Sequence, residues 1–339
     1  MRILRNWKAF AILGLILGPF VLILLALAPP PGRAMAVPGV EPASAGARRP
    51  GITAGFRVLA RGQRIPYRVF GLFVLPGERV DLQMESGTGG FVVEADSGVV
   101  EHRPPTGWAW TAPRSIGVFP VEVIDVPAAD TIRLNAFVMV PYGRQSTLNG
   151  YRIGRYEQGG LALRSAAYAV PGGMIEVTPE NQDVPVSPHF TLGQFVARQA
   201  GGYPKYLVLQ EKLLIKLELV LAEAQRRGIK ATSFTIMSGY RTPFYNRAIG
   251  NETRFSRHLY GDAADIYVDE NGDGVMDDLN GDHRVTRDDA RVLARVVDDL
   301  STESGFQSFL GGLGLYRTRP NHGPFIHVDT RGTRTRWEQ

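Results

Sequence analysis

The chain reads as an α+β domain preceded by a small all-β, sandwich-like domain and an N-terminal transmembrane helix. Three observations predict this order. An uncharged run over residues 9–28 follows a basic N-terminus. Short alternating apolar runs, broken by Gly and Pro, fill residues 51–145. Residues 189–339 combine a long 3.6-period apolar stripe with short strand-like runs and lack regular βαβ alternation.

Composition narrows the field first. The 339 residues are 44% hydrophobic and 21% charged, which excludes global disorder. That length suits two domains at roughly 100–200 residues each. The absence of Cys excludes disulfides, thiolate metal sites, Cys nucleophiles and iron–sulfur clusters. The net charge of +5 is spread thinly, with no Lys/Arg-dense run, so nucleic acid is not an expected partner.

Residues 1–30 form the expected membrane segment. Arg2, Arg5 and Lys8 precede the apolar run, whose twenty residues match a bilayer core about 30 Å thick. Positive-inside logic keeps the N-terminus cytoplasmic and exports the rest to the periplasm or the exterior. The other reading is a cleaved signal, with Ala34-Met35-Ala36 as a small-x-small site and a secreted product. Residues 31–50 are rich in Pro, Gly and Ala and read as a linker. Residues 51–145 then alternate in the manner of a β-sandwich, for example Val80-Asp81-Leu82-Gln83-Met84. Residues 146–188 read as a Gly/Tyr/Arg-rich connector.

The second domain starts near His189. An amphipathic helix is predicted over residues 206–227, carried by Leu213, Leu214, Leu217, Val220, Leu221 and Ala224, with Gly228 as its stop. Strands are predicted over 232–237, 263–268 and 325–329. Three motifs follow these elements: Ser238-Gly239-Tyr240-Arg241, the set Ser256-x-His258-x-x-Gly261-x-Ala263-x-Asp265, and Phe325-Ile326-His327-Val328-Asp329. A hydrolytic Zn²⁺ site wants three N/O ligands and one open position. His258, Asp265 and His327 supply two neutral imidazoles and one carboxylate. The site then keeps positive charge for acidifying a water and polarising a carbonyl.

These motifs resemble the zinc D-alanyl-D-alanine carboxypeptidase superfamily, which includes murein endopeptidases and the hedgehog-type fold. The nearest likeness is to the bacterial branch with Gly-x-Gly-x-Tyr and Phe-Val-His-x-Asp, here Gly312-Leu313-Gly314-Leu315-Tyr316 and Phe325–Asp329. The resemblance spans about residues 189–337. It implies His258, Asp265 and His327 as zinc ligands, and Arg241 as the group holding the substrate carbonyl or carboxylate. It implies peptidoglycan as the partner and stem peptides or cross-links as the substrate. Many relatives carry Glu or Asp shortly before the last His, but positions 324 and 325 are Pro and Phe. His322 is the first candidate base, Asp329 the second and Asp262 the third. The alternative is therefore a catalytically impaired, metal-containing wall-binding protein.

Residues 269–289 form an acidic insertion. Hard Ca²⁺ wants oxygen ligands at alternate loop positions. Asp269, Asn271 and Asp273 with Gly274 begin one such frame. Asp278, Asn280, Asp282 and Asp289 make a second, with His283 where the turn Gly usually sits. Ca²⁺ is the expected second cofactor. The other reading is a solvated loop whose Asp289 closes a capping box with Thr286.

Overall fold

The computed structural model describes residues 51–104, 107–160 and 165–339. The expected membrane segment and linker, residues 1–50, lie outside the described residues. Among the described residues no helix is long and apolar enough to cross a membrane.

Alternation builds much of the first part, while β3 and β9 are buried along most of their length. Nine strands follow in order: β1 (Thr53–Ala60), β2 (Gln63–Tyr67), β3 (Val69–Val74), β4 (Arg79–Ser86), β5 (Phe91–Ala95), β6 (Val99–Arg103), β7 (Gly107–Thr111), β8 (Gly117–Asp125) and β9 (Asp130–Val138). One sheet runs β2-β1-β4-β7-β6 and the other β3-β9-β8-β5. In β4, Val80, Leu82 and Met84 are buried while Arg79, Asp81 and Gln83 are exposed. A period of two turns one side of each sheet inward. Phe56 of the first sheet meets Phe91 of the second at 5.2 Å between ring centres.

Residues beyond the sandwich form short strands: β10 (Val140–Pro141), β11 (Thr147–Leu148), β12 (Tyr151–Arg152), β13 (Gly173–Val177), β14 (Pro185–Ser187), β15 (Phe190–Thr191) and β16 (Lys205–Leu207). The stretch that composition marks as a connector is packed. Tyr142, Tyr151, Tyr156 and Tyr206 bury themselves with Leu259 and Tyr260 in a tyrosine-rich cluster.

The long helix α1 spans Glu211–Arg226, starting five residues later than its periodicity indicates. Residues 205–207 pair with β13 instead, and the Tyr206 hydroxyl donates to Glu176 at 2.6 Å. Backbone pairing has overridden an apolar period that also suits a strand end. A short helix α2 (Pro243–Ala248) and a third helix α3 (Arg287–Leu300) follow. The remaining strands are β17 (Thr235–Ser238), β18 (Ala263–Tyr267), β19 (Gly312–Tyr316), β20 (Phe325–Asp329) and β21 (Thr335–Glu338). They form one sheet in the order β17-β18-β20-β19-β21, antiparallel except for β21 against β19.

The sandwich and this sheet share one hydrophobic core. Strand β14 packs on β3. At the junction the Glu211 carboxylate, in the first turn of α1, accepts from the Phe73 backbone N–H (3.2 Å) and from Arg61 Nε (3.1 Å). The Asn135 side chain donates to the Pro185 carbonyl at 2.9 Å. Such contacts fix the β region against the second region, rather than leaving it on a swivelling connector.

Candidate metal centre

Register across the last sheet positions the site. Asp265 of β18 pairs with Ser238 of β17 on one side and His327 of β20 on the other. His327 in turn pairs with Gly314 of β19, and Gly314 with Trp337 of β21. Ser238, Asp265, His327, Gly314 and Trp337 therefore form one row across five strands. Paired residues in a sheet share a face and lie close together. Their neighbours Ala264, Ile266, Ile326 and Val328 are fully buried, and α3 packs on β19 and β20.

The third member arrives from a loop. His258 sits on a 3-10 turn, Arg257–Tyr260, that ends at Gly261 with φ +70°. A Cβ at Gly261 would lie 2.3 Å from the Val208 carbonyl oxygen, so only glycine permits this approach. The turn is held from below. Arg257 is buried, ion-paired with Asp262, and its guanidinium lies over the Tyr168 ring at 4.5 Å. Its Nη1 donates to the Ala167 carbonyl at 2.9 Å. Asp262, the third candidate base, is thus occupied by Arg257.

Three ligand-type atoms converge. His258 Nε2 lies 3.1 Å from His327 Nδ1 and 3.2 Å from Asp265 Oδ1, and His327 Nδ1 lies 2.9 Å from Asp265 Oδ1. Tetrahedral zinc at about 2.0–2.1 Å from N and O ligands separates those ligands by about 3.3 Å. The triangle therefore fits one face of such a polyhedron. All three residues are buried.

The far side of each ligand is also engaged. His258 Nδ1–H donates to the Gly239 carbonyl at 2.6 Å, leaving Nε2 its lone pair. His327 Nε2–H donates to Asp329 Oδ2 at 3.1 Å, leaving Nδ1 free to ligate. Asp329 is held by the Gly312 N–H (2.8 Å) and by Arg331 Nε (3.0 Å). The buried Lys216 ammonium donates to the Asp329 backbone carbonyl at 2.7 Å. Such partners set the tautomer and orientation of metal-binding histidines. Arg241 Nε donates to Ser238 Oγ at 2.7 Å, and its Nη2 pairs with Asp265 Oδ2, the oxygen turned away from the histidines.

Electrostatics agree with a cation site. Burial pushes the His258 imidazole down to about 4, so it is neutral and ready to ligate. Burial raises Asp265, but the adjoining His258 ring and the Arg241 guanidinium overturn this and hold it well below the usual carboxylate range. Burial would lower His327, yet hydrogen bonds to Asp265 and Asp329 hold it above its ordinary value. Positive charge is favoured between those carboxylates.

The centre opens into a cleft of about 890 Å³, lined among others by Arg241, Glu252, Tyr316, Phe325, Arg331 and Trp337. Of the expected bases, Asp329 lies against Nε2 of His327, across the ring from the ligating atom, and serves to orient that ring. His322 does not line the cleft. Its Nδ1–H donates to the Gly323 carbonyl at 2.7 Å, and its ring meets Phe325 edge-on at 5.0 Å. Sequence reasoning passed over Trp337 and gave Tyr316 no role. The available signal was the alternation Gly312-x-Gly314-x-Tyr316, which puts two glycines and a tyrosine on one strand face.

The acidic loop is built separately. Asp269 accepts from the backbone N–H groups of Gly272, Asp273 and Gly274, and Asp278 repeats this with Gly281, Asp282 and His283. Asn271 accepts from Asp273 N–H, Asn280 from Asp282 N–H, and Asp282 from Arg284 N–H. His283 adopts φ +64°, the left-handed conformation that Gly274 adopts in the first frame at φ +81°. Asp289 is buried and accepts from Leu279, Asn280 and Thr286 N–H, so the capping box is present.

A buried group of two histidines and one aspartate, braced behind and open in front, could hold a metal ion. Residues 205–284 match the family model described as Peptidase M15, whose members are zinc-dependent. The matched segment contains His258 and Asp265, and over that stretch the chain is similar to the M15 peptidases. No curated protein and no solved structure matches the chain.

Proposed function

We propose that the protein is a zinc-dependent peptidase that hydrolyses peptidoglycan stem peptides or cross-links. The observation that carries this reading is the triangle of His258, Asp265 and His327 at the floor of an open cleft. Zinc bound there would supply a Lewis acid and a water acidified toward neutral pH. His258 and His327 would ligate through Nε2 and Nδ1, and Asp265 through Oδ1. Arg241 keeps Asp265 Oδ2 occupied and offers its remaining N–H groups to a substrate carboxylate or carbonyl. The finer parts of the reading are an exported catalytic region, an N-terminal membrane anchor and Ca²⁺ in the loop frames of Asp269 and Asp278. The repeat of one backbone geometry nine residues apart supports the last of these.

The test is incubation of the full chain and equimolar zinc with purified muropeptides, read by mass spectrometry. Release of D-alanine or cleavage of cross-links, lost in His258→Ala, is the expected result. Muropeptides bound but unchanged would favour the second reading, a wall-binding protein that retains its metal. The position of His322 outside the cleft favours that alternative.

A further inference from the structure

One polar group in the cleft has no role in the reading so far. Tyr316 follows Gly314 by two residues on β19, so it shares the face of the row that carries Asp265 and His327. It lines the same cleft. Its ring is stacked on Phe325 at 4.4 Å and 8°. Its oxygen accepts a hydrogen bond from Trp337 Nε1 at 3.0 Å. Indole N–H is a donor only, so the phenol oxygen is fixed as an acceptor there. Among the described residues the Tyr316 O–H has no acceptor of its own.

Two glycines make this arrangement possible. A Cβ at Gly314 would lie 2.5 Å from the Trp337 ring, and one at Gly312 would lie 2.4 Å from Asp329 Oδ2. Gly314 admits the indole over the row, where it also meets His327 at 5.2 Å. Arg241, to which the family resemblance gives the carbonyl, already spends two donors on Ser238 and Asp265. Beside the remaining N–H groups of Arg241, Tyr316 offers the cleft a second kind of unspent donor.

We propose that Tyr316 is a catalytic residue whose O–H hydrogen-bonds the scissile carbonyl oxygen as negative charge builds there. Trp337 is the positioning residue that aims it. This rests on the peptidase reading above. Burial holds the phenol above its ordinary value, so it stays protonated and able to donate at neutral pH. Preorganised donors of this kind act mainly in the transition state, and loss of one costs about 10²–10³ in kcat.

The experiment uses Tyr316→Phe and Trp337→Phe in the full chain. Tyr316→Phe should lower kcat on muropeptides by about 10²–10³ with KM within about threefold. It should weaken a phosphinate analogue of D-alanyl-D-alanine by a similar factor, and leave zinc affinity unchanged. Trp337→Phe, which keeps a ring and deletes the N–H, should lower kcat less, again with zinc retained. A zinc-loaded Tyr316→Phe protein with kcat and phosphinate affinity within twofold of wild type would overturn the assignment. An inactive wild-type protein would overturn it together with the peptidase reading, so the two failures are distinct. Should Tyr316→Phe lose its fold, an unchanged kcat in Trp337→Phe would still count against it.

Discussion

The metal centre and the acidic loop use the same kinds of side chain in opposite ways. His258, Asp265 and His327 come from a turn and two strands, and burial is their common state. Their far sides are tied to Gly239, Arg241 and Asp329. The carboxylates at the head of the loop are only half-buried and tied to backbone N–H groups a few residues away. Long-range strand register makes the first, and local turn geometry makes the second. The first should thus fail chemically when one atom changes, and the second should fail mechanically or hardly at all.

The sharpest way to break that contrast is Asp265→Asn. It removes one ligand charge and leaves the half-buried Arg241 without its anionic partner. Zinc should be lost on dialysis and turnover should fall by at least about 10³-fold, checked by metal analysis and muropeptide assay. Retained zinc would mean that the triangle is not the metal site. Next in size is Asp329→Asn, which weakens the brace behind His327 without touching the ligating atom. Zinc affinity should drop by about 10–100-fold in a chelator competition, with the melting temperature changed far less.

On the loop side the largest effect belongs to Asp289→Ala. Three backbone N–H groups lose their acceptor, one of them at the start of α3. Stability should fall by about 1–3 kcal/mol in urea titration while zinc affinity stays as in wild type. A loss of zinc there would mean that loop and centre are coupled. The smallest effect is a pH control at a separate pair. The hydrogen bond to the buried Glu218 raises His189, with burial opposing. A raised histidine stabilises fully below its unfolded value of about 6.5, and that contribution fades as pH rises through the higher folded value. The melting temperature of wild type should therefore decline more than that of His189→Gln between about pH 6 and 8. Parallel profiles would remove the His189–Glu218 pair from the account.

How much of this was legible beforehand depends on the range of each interaction. The acidic frames and the capping box of Asp289 are local, and their spacing announces them. The three candidate ligands are legible through their motifs, because residue type and order survive without a fold. Their supports are not. Asp329 reads equally as a base or a brace until the His327 ring is seen to present Nε2 to it. His322 reads as a base until the chain after Arg319 turns it toward Gly323. Trp337 has no local signal, since its place over Gly314 depends on a parallel edge strand. Residues 205–207 carry an apolar pattern that suits helix or strand, and pairing with β13 decides between them.

By itself, the order of residues determined the alternation of the sandwich strands, the stripe of α1, the loop frames and the identity of the three ligand candidates. Each depends on neighbours within a few positions. Only the tertiary structure decided that sandwich and sheet share one core. It alone aligned Ser238, Asp265, His327, Gly314 and Trp337 in a single row. Cross-strand register joins residues far apart in the chain, and no local period encodes which distant partner a strand will meet.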